Sequence, residues 1–330
     1  MRTKSQDLIT YREGNLYCAL ADIWIDPNKP VKRALITHAH FDHLAFGCEE
    51  YISTHETAII IKERLGGEIN IKTYDYGEEF NINGINISLY PSGHILGSSQ
   101  IRFIFAEEKW LVTGDYKLQE DNTCEKFEII KTDYLISECT FGLPIFKWEE
   151  TTKIAEDISK WIINSPEKTS VLFCYSLGKA QRILNELSKT NLKNDIYTHS
   201  AIHKMNACYK KIGVDIIKTE KIEIRNKPID YKGKLLLLPP SLNKLSYLKN
   251  FNNIQTSFAS GWMSIRALRK RSGYDKGFVI SDHADWDGIL NVIKNSEAKN
   301  VFFYHGDSDP LNKYLNEKKT INVKYFTDKL

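Results

Sequence analysis

Residues 35–43 read Leu-Ile-Thr-His-Ala-His-Phe-Asp-His, an apolar strand end that runs directly into three histidines and an aspartate. His38 and His40, two apart on extended backbone, can point the same way, and Asp42 with His43 can turn to the other side of the same cavity. Neutral imidazoles beside a carboxylate suit Zn2+ or Mn2+. Four such groups packed together repel one another and lose water, a cost that a metal relieves, so a merely solvated histidine-rich loop is the weaker account. Three more ligand types follow strand-like runs: His94 in Pro-Ser-Gly-His-Ile-Leu-Gly, Asp115 in Leu-Val-Thr-Gly-Asp-Tyr, and His305 in Val-Phe-Phe-Tyr-His-Gly-Asp. One histidine after a strand is more often structural than a ligand. Three such strand ends added to the first cluster point to a metal site.

Such side chains need a scaffold that brings many strand ends together. The chain has 330 residues, which allows one large domain or two smaller ones. Apolar residues at 42% and charged residues at 26% exclude a disordered, collagen-like or membrane-embedded chain. A net charge of +3 excludes a nucleic-acid coat over the whole surface, so any polyanion site is a local patch. The six cysteines form no Cys-x-x-Cys pair and read as reduced thiols. Residues 1–15 lack the apolar run of a signal peptide, and no segment approaches the roughly 20 apolar residues that span a bilayer. A cytoplasmic protein with no membrane partner is expected.

The first third reads as short strands joined by tight turns. Asn83-Gly84 supplies a hairpin turn between 80–82 and 85–90, and one helix is expected over 56–65, stopped by Gly66-Gly67. From about Trp148 helices and buried strands alternate, which suggests βαβ units around a parallel sheet. The change of rhythm places boundaries near 148 and 265. Arg266, Arg269, Lys270, Arg271 and Lys276 form the densest basic patch, expected to track backbone phosphates. Cys174 to Arg182 passes from strand to helix at Gly178, where backbone N–H groups, Ser176 and Lys179 can receive a phosphate, although a plain strand-to-helix connection fits equally.

The pattern His38-x-His40-x-Asp42-His43, with His94 and Asp115 following, resembles the metallo-β-lactamase fold in its binuclear hydrolase form. That resemblance implies one metal held by His38, His40, His94 and Asp115 and a second by Asp42, His43, Asp115 and His305, with Asp115 bridging. The cofactors implied are two divalent ions, Zn2+ or Mn2+. Ser137-Glu-Cys-Thr-Phe-Gly142, Ser281-Asp-His-Ala-Asp285 and Tyr304-His-Gly-Asp307 resemble motifs A, B and C of the β-CASP nucleases, over nearly the whole chain. The fold implied is α/β, a metallo-β-lactamase αββα sandwich over 1–147 and 266–330 with an inserted β-CASP α/β domain over 148–265. Phosphodiester hydrolysis at such a site uses an activated hydroxide on one face and a protonated group at the departing oxygen on the other. The resemblance gives the acid role to His283, oriented by Glu138, with Asp42 and Asp115 at the metals. It also strengthens the phosphate reading of the 174–182 segment, and makes Ser260, in Ser257-Phe-Ala-Ser-Gly-Trp262, part of the same pocket.

Within the β-CASP group, Gly114-Asp-Tyr-Lys, Glu138-Cys-Thr-Phe-Gly-Leu-Pro, Ala259-Ser-Gly-Trp-Met and Ser281-Asp-His-Ala-Asp-Trp look like the bacterial ligase-associated DNA exonucleases. That implies DNA-end processing in repair, in the 5′ to 3′ direction, on single strands or ends, beside an ATP-dependent ligase and a helicase. His305 gives the chain the ligand set of RNA-directed members, so a ribonuclease like RNase J is the alternative. A lactonase or thioesterase would leave the insertion and the basic patch without work, and a non-catalytic nucleic-acid-binding scaffold would not keep every metal position.

Overall fold

The computed structural model describes residues 7–193, 195–224, 230–271, 273–318 and 321–326. The chain divides into two compact units. One takes Met1–Glu120, Cys124–Ile145 and His283–Leu330, and the other Asp121–Thr123 and Phe146–Asp282.

The first unit contains two sheets. From edge to edge the first runs Ile9–Arg12, Asn15–Cys18, Ile23–Ile25, Arg33–Leu35, Glu50–Ser53 and Ile71–Thr73. The second runs Asn322–Lys324, Asn300–Tyr304, Tyr134–Glu138, Glu108–Val112, Ser99–Phe105, Ile85–Pro91 and Glu79–Ile82. Alternating residues of both sheets, including Ile23, Ile25, Leu35 and Ile52 from one and Ile87, Leu89, Ile101, Phe103 and Trp110 from the other, share one apolar cluster. The opposite face of the second sheet, with Leu111, Leu135 and Val301, packs on Ile289, Val292 and Ile293 of the helix Trp286–Asn295 and on Leu311 and Leu315 of Asp309–Lys318. The Asn83-Gly84 hairpin forms as expected, both residues having positive φ between antiparallel strands. The expected helix spans His55–Leu65; the Thr54 side chain accepts from the Thr57 N–H at its start, and Gly66 ends it with φ +68°.

Strand direction explains how the ligands meet. Glu108–Val112, Tyr134–Glu138 and Asn300–Tyr304 are adjacent and parallel, so Asp115, Glu138 and His305 all emerge at one sheet edge. Ile85–Pro91 is antiparallel to Ser99–Phe105, which is itself antiparallel to Glu108–Val112, so the loop carrying His94 leaves at that same edge. In the other sheet Ile23–Ile25 runs parallel to Arg33–Leu35, which sets Asp26 beside the loop that begins at Ile36.

The second unit has one all-parallel sheet, ordered Glu220–Lys221, Ile196–Thr198, Leu235–Leu238, Thr169–Phe173, Ile254–Ala259 and Lys276–Phe278. Its faces are covered on both sides. Leu172, Leu235 and Leu237 pack on the helices Thr151–Ile163 and Lys179–Ser188, while Val171, Phe173, Leu236 and Leu238 pack on Ile222, Tyr231 and Phe251. That is why 235–238 is an unbroken aliphatic run. The compact units divide near 146, close to the expected 148, but the second continues through Asp282 and does not stop near 265. Lys276–Phe278 pairs with Ile254–Ala259, so the sheet is complete only after residue 278. Among the described residues, no helix is long and apolar enough to cross a membrane.

Candidate metal centre

Among the described residues, four overlapping groups of possible ligand atoms meet at the loop-bearing edge of the first unit, and three of them contain Asp115; Asp26 with His38 and His43, and Asp115 with Glu138 and His283, are two of the four. Of the other two, His38, His40, His94 and Asp115 form the first, and His43, Asp115 and His305 the second. In the first, His40 Nδ1 lies 3.1 Å from both His38 Nε2 and His94 Nε2, and Asp115 Oδ2 lies 3.7 and 3.8 Å from those Nε2 atoms. A tetrahedral ion with bonds of about 2.1 Å spaces its ligands about 3.4 Å apart, so the observed separations bracket what such an ion needs. In the second, His43 Nε2 lies 3.4 Å from Asp115 Oδ2, and the His43 and His305 rings stack with centroids 4.9 Å apart. Asp42 stands aside: its side chain is 76% exposed and its Oδ2 is 3.9 Å from His43 Nε2.

The electrostatics are those of a cation site. His43 Nε2 and Asp115 Oδ1 are buried without a hydrogen-bond partner, a costly state that a bound divalent ion would satisfy. Burial, then the charges of His43, His94 and His40, hold the His38 pKa well below its usual value, so its imidazole stays neutral and offers a lone pair. Burial opposes ionisation of Asp115, yet the surrounding His43 and His283 charges outweigh it and keep the carboxyl well below the ordinary range. Burial likewise opposes the charge on His43, and Asp115 and Asp26 overcome it and raise its pKa well above the usual value. These residues fit two divalent cations.

Asp26 is the residue that sequence reasoning missed. Its Oδ1 accepts the Thr37 N–H at 2.7 Å, and its Oδ2 accepts the Thr37 hydroxyl at 2.5 Å and faces His43 Nδ1 at 2.9 Å. A carboxylate can only accept, so His43 keeps a hydrogen on Nδ1, and Nε2 is the nitrogen whose lone pair would face the site once a cation displaces its proton. The Thr37 hydroxyl spends its proton on Asp26 and so accepts from His38 Nδ1 at 3.0 Å, which fixes the same tautomer there. The signal was a lone aspartate after Ile-Trp-Ile and before Pro27, which reads as an ordinary turn.

Backbone conformation holds the loops close. A Cβ on Gly114 would lie 2.8 Å from Thr37 Cβ, and one on Gly306 would lie 2.4 Å from the Cys139 carbonyl oxygen, so both positions require glycine. His305, exposed and itself at φ +54°, is held by its carbonyl, which accepts from the Cys139 N–H at 2.9 Å.

Beside these candidate ligands lie Glu138 and His283. Glu138, buried at the end of its strand, faces His283 Nδ1 at 2.9 Å through Oε1, which also accepts the Tyr116 N–H at 3.2 Å. Oε2 accepts the Thr140 N–H at 3.0 Å. His283 Nδ1 is 3.9 Å from Asp115 Oδ2, and the His283 ring is 4.9 Å from His94 and meets Phe141 edge-on at 5.9 Å. The arrangement joins a fixed imidazole to a cation site, the equipment of a metal-dependent hydrolase.

Comparison with known proteins identifies the group. No protein-family profile matches the chain. A "Probable DNA ligase" of Opitutus terrae is 26% identical over 307 residues, 92% of this chain and 30% of the ligase. "RNase aCSPSF2" of Saccharolobus solfataricus is 27% identical over 312 residues, 83% of this chain and 56% of the RNase. "Endoribonuclease YSH1" of Eremothecium gossypii is 32% identical over 118 residues, 34% of this chain and 15% of that protein. The chain is a relative of the β-CASP nucleases. It spans less than two thirds of the length of each of these three. The crystal structure of a protein of unknown function from Enterococcus faecalis V583 shares the fold, with a TM-score of 0.59 at 13% identity over 88% of this chain and 78% of that one.

The residues expected to meet phosphate in a β-CASP domain all fall in the second unit and separate by environment. Ser176 is half-buried at the end of Thr169–Phe173, and Ser260 is buried with its hydroxyl accepting the Trp262 N–H at 3.4 Å. Gly178 is the N-cap of Lys179–Ser188, and its N–H is already taken by Gln181 Oε1 at 2.8 Å. Lys179 is 3% exposed, and its ammonium donates to the Ile280 carbonyl at 2.9 Å and pairs with Asp282 at 3.2 Å. Its cation therefore serves the interior, in contrast to the expected phosphate contact. Arg182, also buried, donates to the Ser281 carbonyl at 2.6 Å and to Thr151 Oγ1, and pairs with Asp121 and Asp282 at 3.6 and 3.7 Å. Arg269 and Arg271 are exposed on the short helix Arg266–Arg271.

Proposed function

We propose that this chain is a two-metal phosphodiester hydrolase acting as a DNA exonuclease in end processing, working from 5′ ends, cytoplasmic and associated with a DNA ligase. On this reading the first unit is a metallo-β-lactamase αββα sandwich and the second an inserted β-CASP domain. The observation that carries it is Asp115: one carboxylate shared by two ligand groups, with the Glu138–His283 pair alongside. Two ions bound there, Zn2+ or Mn2+ by the donor set, would supply Lewis-acid activation of water and clamp an in-line displacement. His38, His40, His94 and Asp115 would hold one, and His43, Asp115 and His305, with Asp42 beside them, the other.

The chain's own residues supply the remaining steps. Glu138, fixed by two backbone N–H groups, accepts from His283 Nδ1 and leaves Nε2 to deliver a proton to the departing oxygen. Phe141 restrains the ring from one side. The exposed cations Arg269 and Arg271 would follow the backbone phosphates.

DNA as substrate is supported by the Opitutus terrae protein, in which a stretch similar to 92% of this chain belongs to a polypeptide named for DNA ligation. A ribonuclease is the second reading, favoured by the similarity of 83% of the chain to an RNase. The deciding experiment follows products from end-labelled single- and double-stranded DNA and RNA with Mn2+ or Zn2+, using Asp115→Ala to exclude contaminating nuclease. Stepwise shortening of DNA from the 5′ end, lost in Asp115→Ala, is expected. Cleavage of RNA with DNA left intact would replace the first reading by the second.

A further inference from the structure

The ligand loop carries two aromatic rings that neither the core nor the metal centre uses. Phe41 lies between His40 and Asp42 and is 66% exposed, and Phe46, three residues past His43, is 70% exposed. Single exposed apolar residues are ordinary, but these two share the loop that supplies three metal ligands. Consecutive Cα atoms are about 3.8 Å apart, so the Phe41 ring starts one residue step from His40, a metal-site residue. The Arg64 guanidinium, near the end of His55–Leu65, lies 4.1 Å from the Phe41 ring centroid. One region of the ring thus carries a planar cation, and two thirds of the residue remains accessible to another flat partner.

We propose that Phe41, backed by Arg64, is a stacking platform for a nucleobase of single-stranded DNA next to the scissile phosphate, with Phe46 as a second stacking ring on the same loop. The proposal rests on the nuclease reading and deepens it by naming which part of the substrate the loop grips. A base offers a flat π face to an aromatic ring, and the phosphates on either side of it suit a guanidinium. Every base has such a face, so the platform holds the strand without reading its sequence. A small aliphatic ester or lactone would gain little from this arrangement, because it has no flat face to lay on Phe41 and no phosphate for Arg64.

The test compares a single-stranded DNA oligonucleotide with a strand of equal length made of abasic residues. Binding is read by fluorescence anisotropy with the metal-free protein, and KM and kcat are read with Mn2+. Base–aromatic stacking of about 1–3 kcal/mol corresponds to roughly 5- to 150-fold in affinity. The unsubstituted protein should therefore prefer the base-bearing strand by about tenfold or more. Phe41→Ala should abolish most of that preference and raise KM, Phe41→Trp should restore it, and Phe46→Ala should reduce it. Abasic DNA should bind both Phe41→Ala and the unsubstituted protein alike. A Phe41→Ala protein that kept the full preference would overturn the proposal while leaving the nuclease reading intact. A Phe41-dependent preference without cleavage of any polynucleotide would uphold the platform and overturn the nuclease reading. A Phe41-dependent preference seen with RNA and absent with DNA would overturn the choice of occupant.

Discussion

Asp26→Asn is the most informative single change, because it alters one buried atom of a carboxylate that hydrogen-bonds both Thr37 and His43. The native Asp26 accepts three hydrogen bonds, from the Thr37 N–H, the Thr37 hydroxyl and His43 Nδ1. An asparagine offers one oxygen and one NH2, and neither orientation reproduces that set. With the oxygen kept toward the Thr37 N–H, the NH2 faces His43 Nδ1. That forces the ring hydrogen to Nε2 and removes the lone pair that points at Asp115. The same NH2 reverses the Thr37 hydroxyl, which then donates to His38 Nδ1 and disables the second imidazole in the same way. With the amide turned round, both tautomers survive but the Thr37 N–H is left facing a donor inside the protein. A buried hydrogen bond to a charged group is worth about 1.5–3 kcal/mol. The loss should therefore appear as metal affinity lowered roughly 10- to 100-fold in the first case, or as about 2 kcal/mol of stability in the metal-free protein in the second. Competition against a chromophoric chelator measures the first, and urea denaturation in EDTA the second. An Asp26→Asn protein unchanged in both measurements would refute the tautomer argument.

Three other outcomes follow from the geometry. Glu138→Gln must turn its NH2 toward either the Tyr116 or the Thr140 N–H, so kcat should fall by about 100-fold or more while metal content by atomic emission stays at the native level; native kcat would remove Glu138 from proton transfer. Arg182→Met strips buried Asp282 and Asp121 of a cation and removes the Arg182 hydrogen bond to the Ser281 carbonyl, so urea denaturation should show a loss of about 3–5 kcal/mol in the second unit, and a loss below about 1 kcal/mol would show that the network contributes little. Burial, then the charges of Glu138 and Asp307, push the Cys139 thiol up to about 12. Its folded pKa lies above the unfolded value of about 8.5, so its contribution to stability is complete below pH 8.5 and is lost as the pH climbs toward 12. Iodoacetamide at pH 8.5 should label half-exposed Cys48 and Cys124 well before Cys139, as read by peptide mass spectrometry.

The candidate ligands that the fold brings together were legible because their signals are local. Three of the histidines fall within six positions, and His94, Asp115 and His305 each follow an apolar run with glycine alongside, a pattern that survives without knowledge of the sheet. Asp26 was not legible because its meaning comes from the parallel pairing of Ile25 with Leu35, which brings a turn residue against the next strand's loop. Lys179 misled for a related reason. A lysine opening a helix after a glycine suits a phosphate, and only the fold reveals that the Ile280 carbonyl and Asp282, about a hundred residues later, occupy its ammonium. The strand that completes the second unit's sheet after 265 was not legible because Lys276–Phe278 has three residues, too few to announce an edge strand beside a basic stretch.

Asp115 shows why the site is costly without its ions. Its Oδ2 lies 3.4–3.9 Å from nitrogens of His38, His43, His94 and His283, so one carboxylate faces four imidazoles that cannot all be protonated. His43 is pushed toward the charged form and His38 away from it, although the ring centroids are only 4.2 Å apart. Gly114 lets the Asp115 loop lie against Thr37, next to His38, and a looser arrangement would relieve the conflict. A fold that gained only stability from this edge would have filled it with apolar side chains, as it does one layer below with Ile25, Leu35, Val112 and Ile136. On the two-metal reading the strain is retained for the cations, and metal binding would return the energy stored in those buried, unsatisfied atoms.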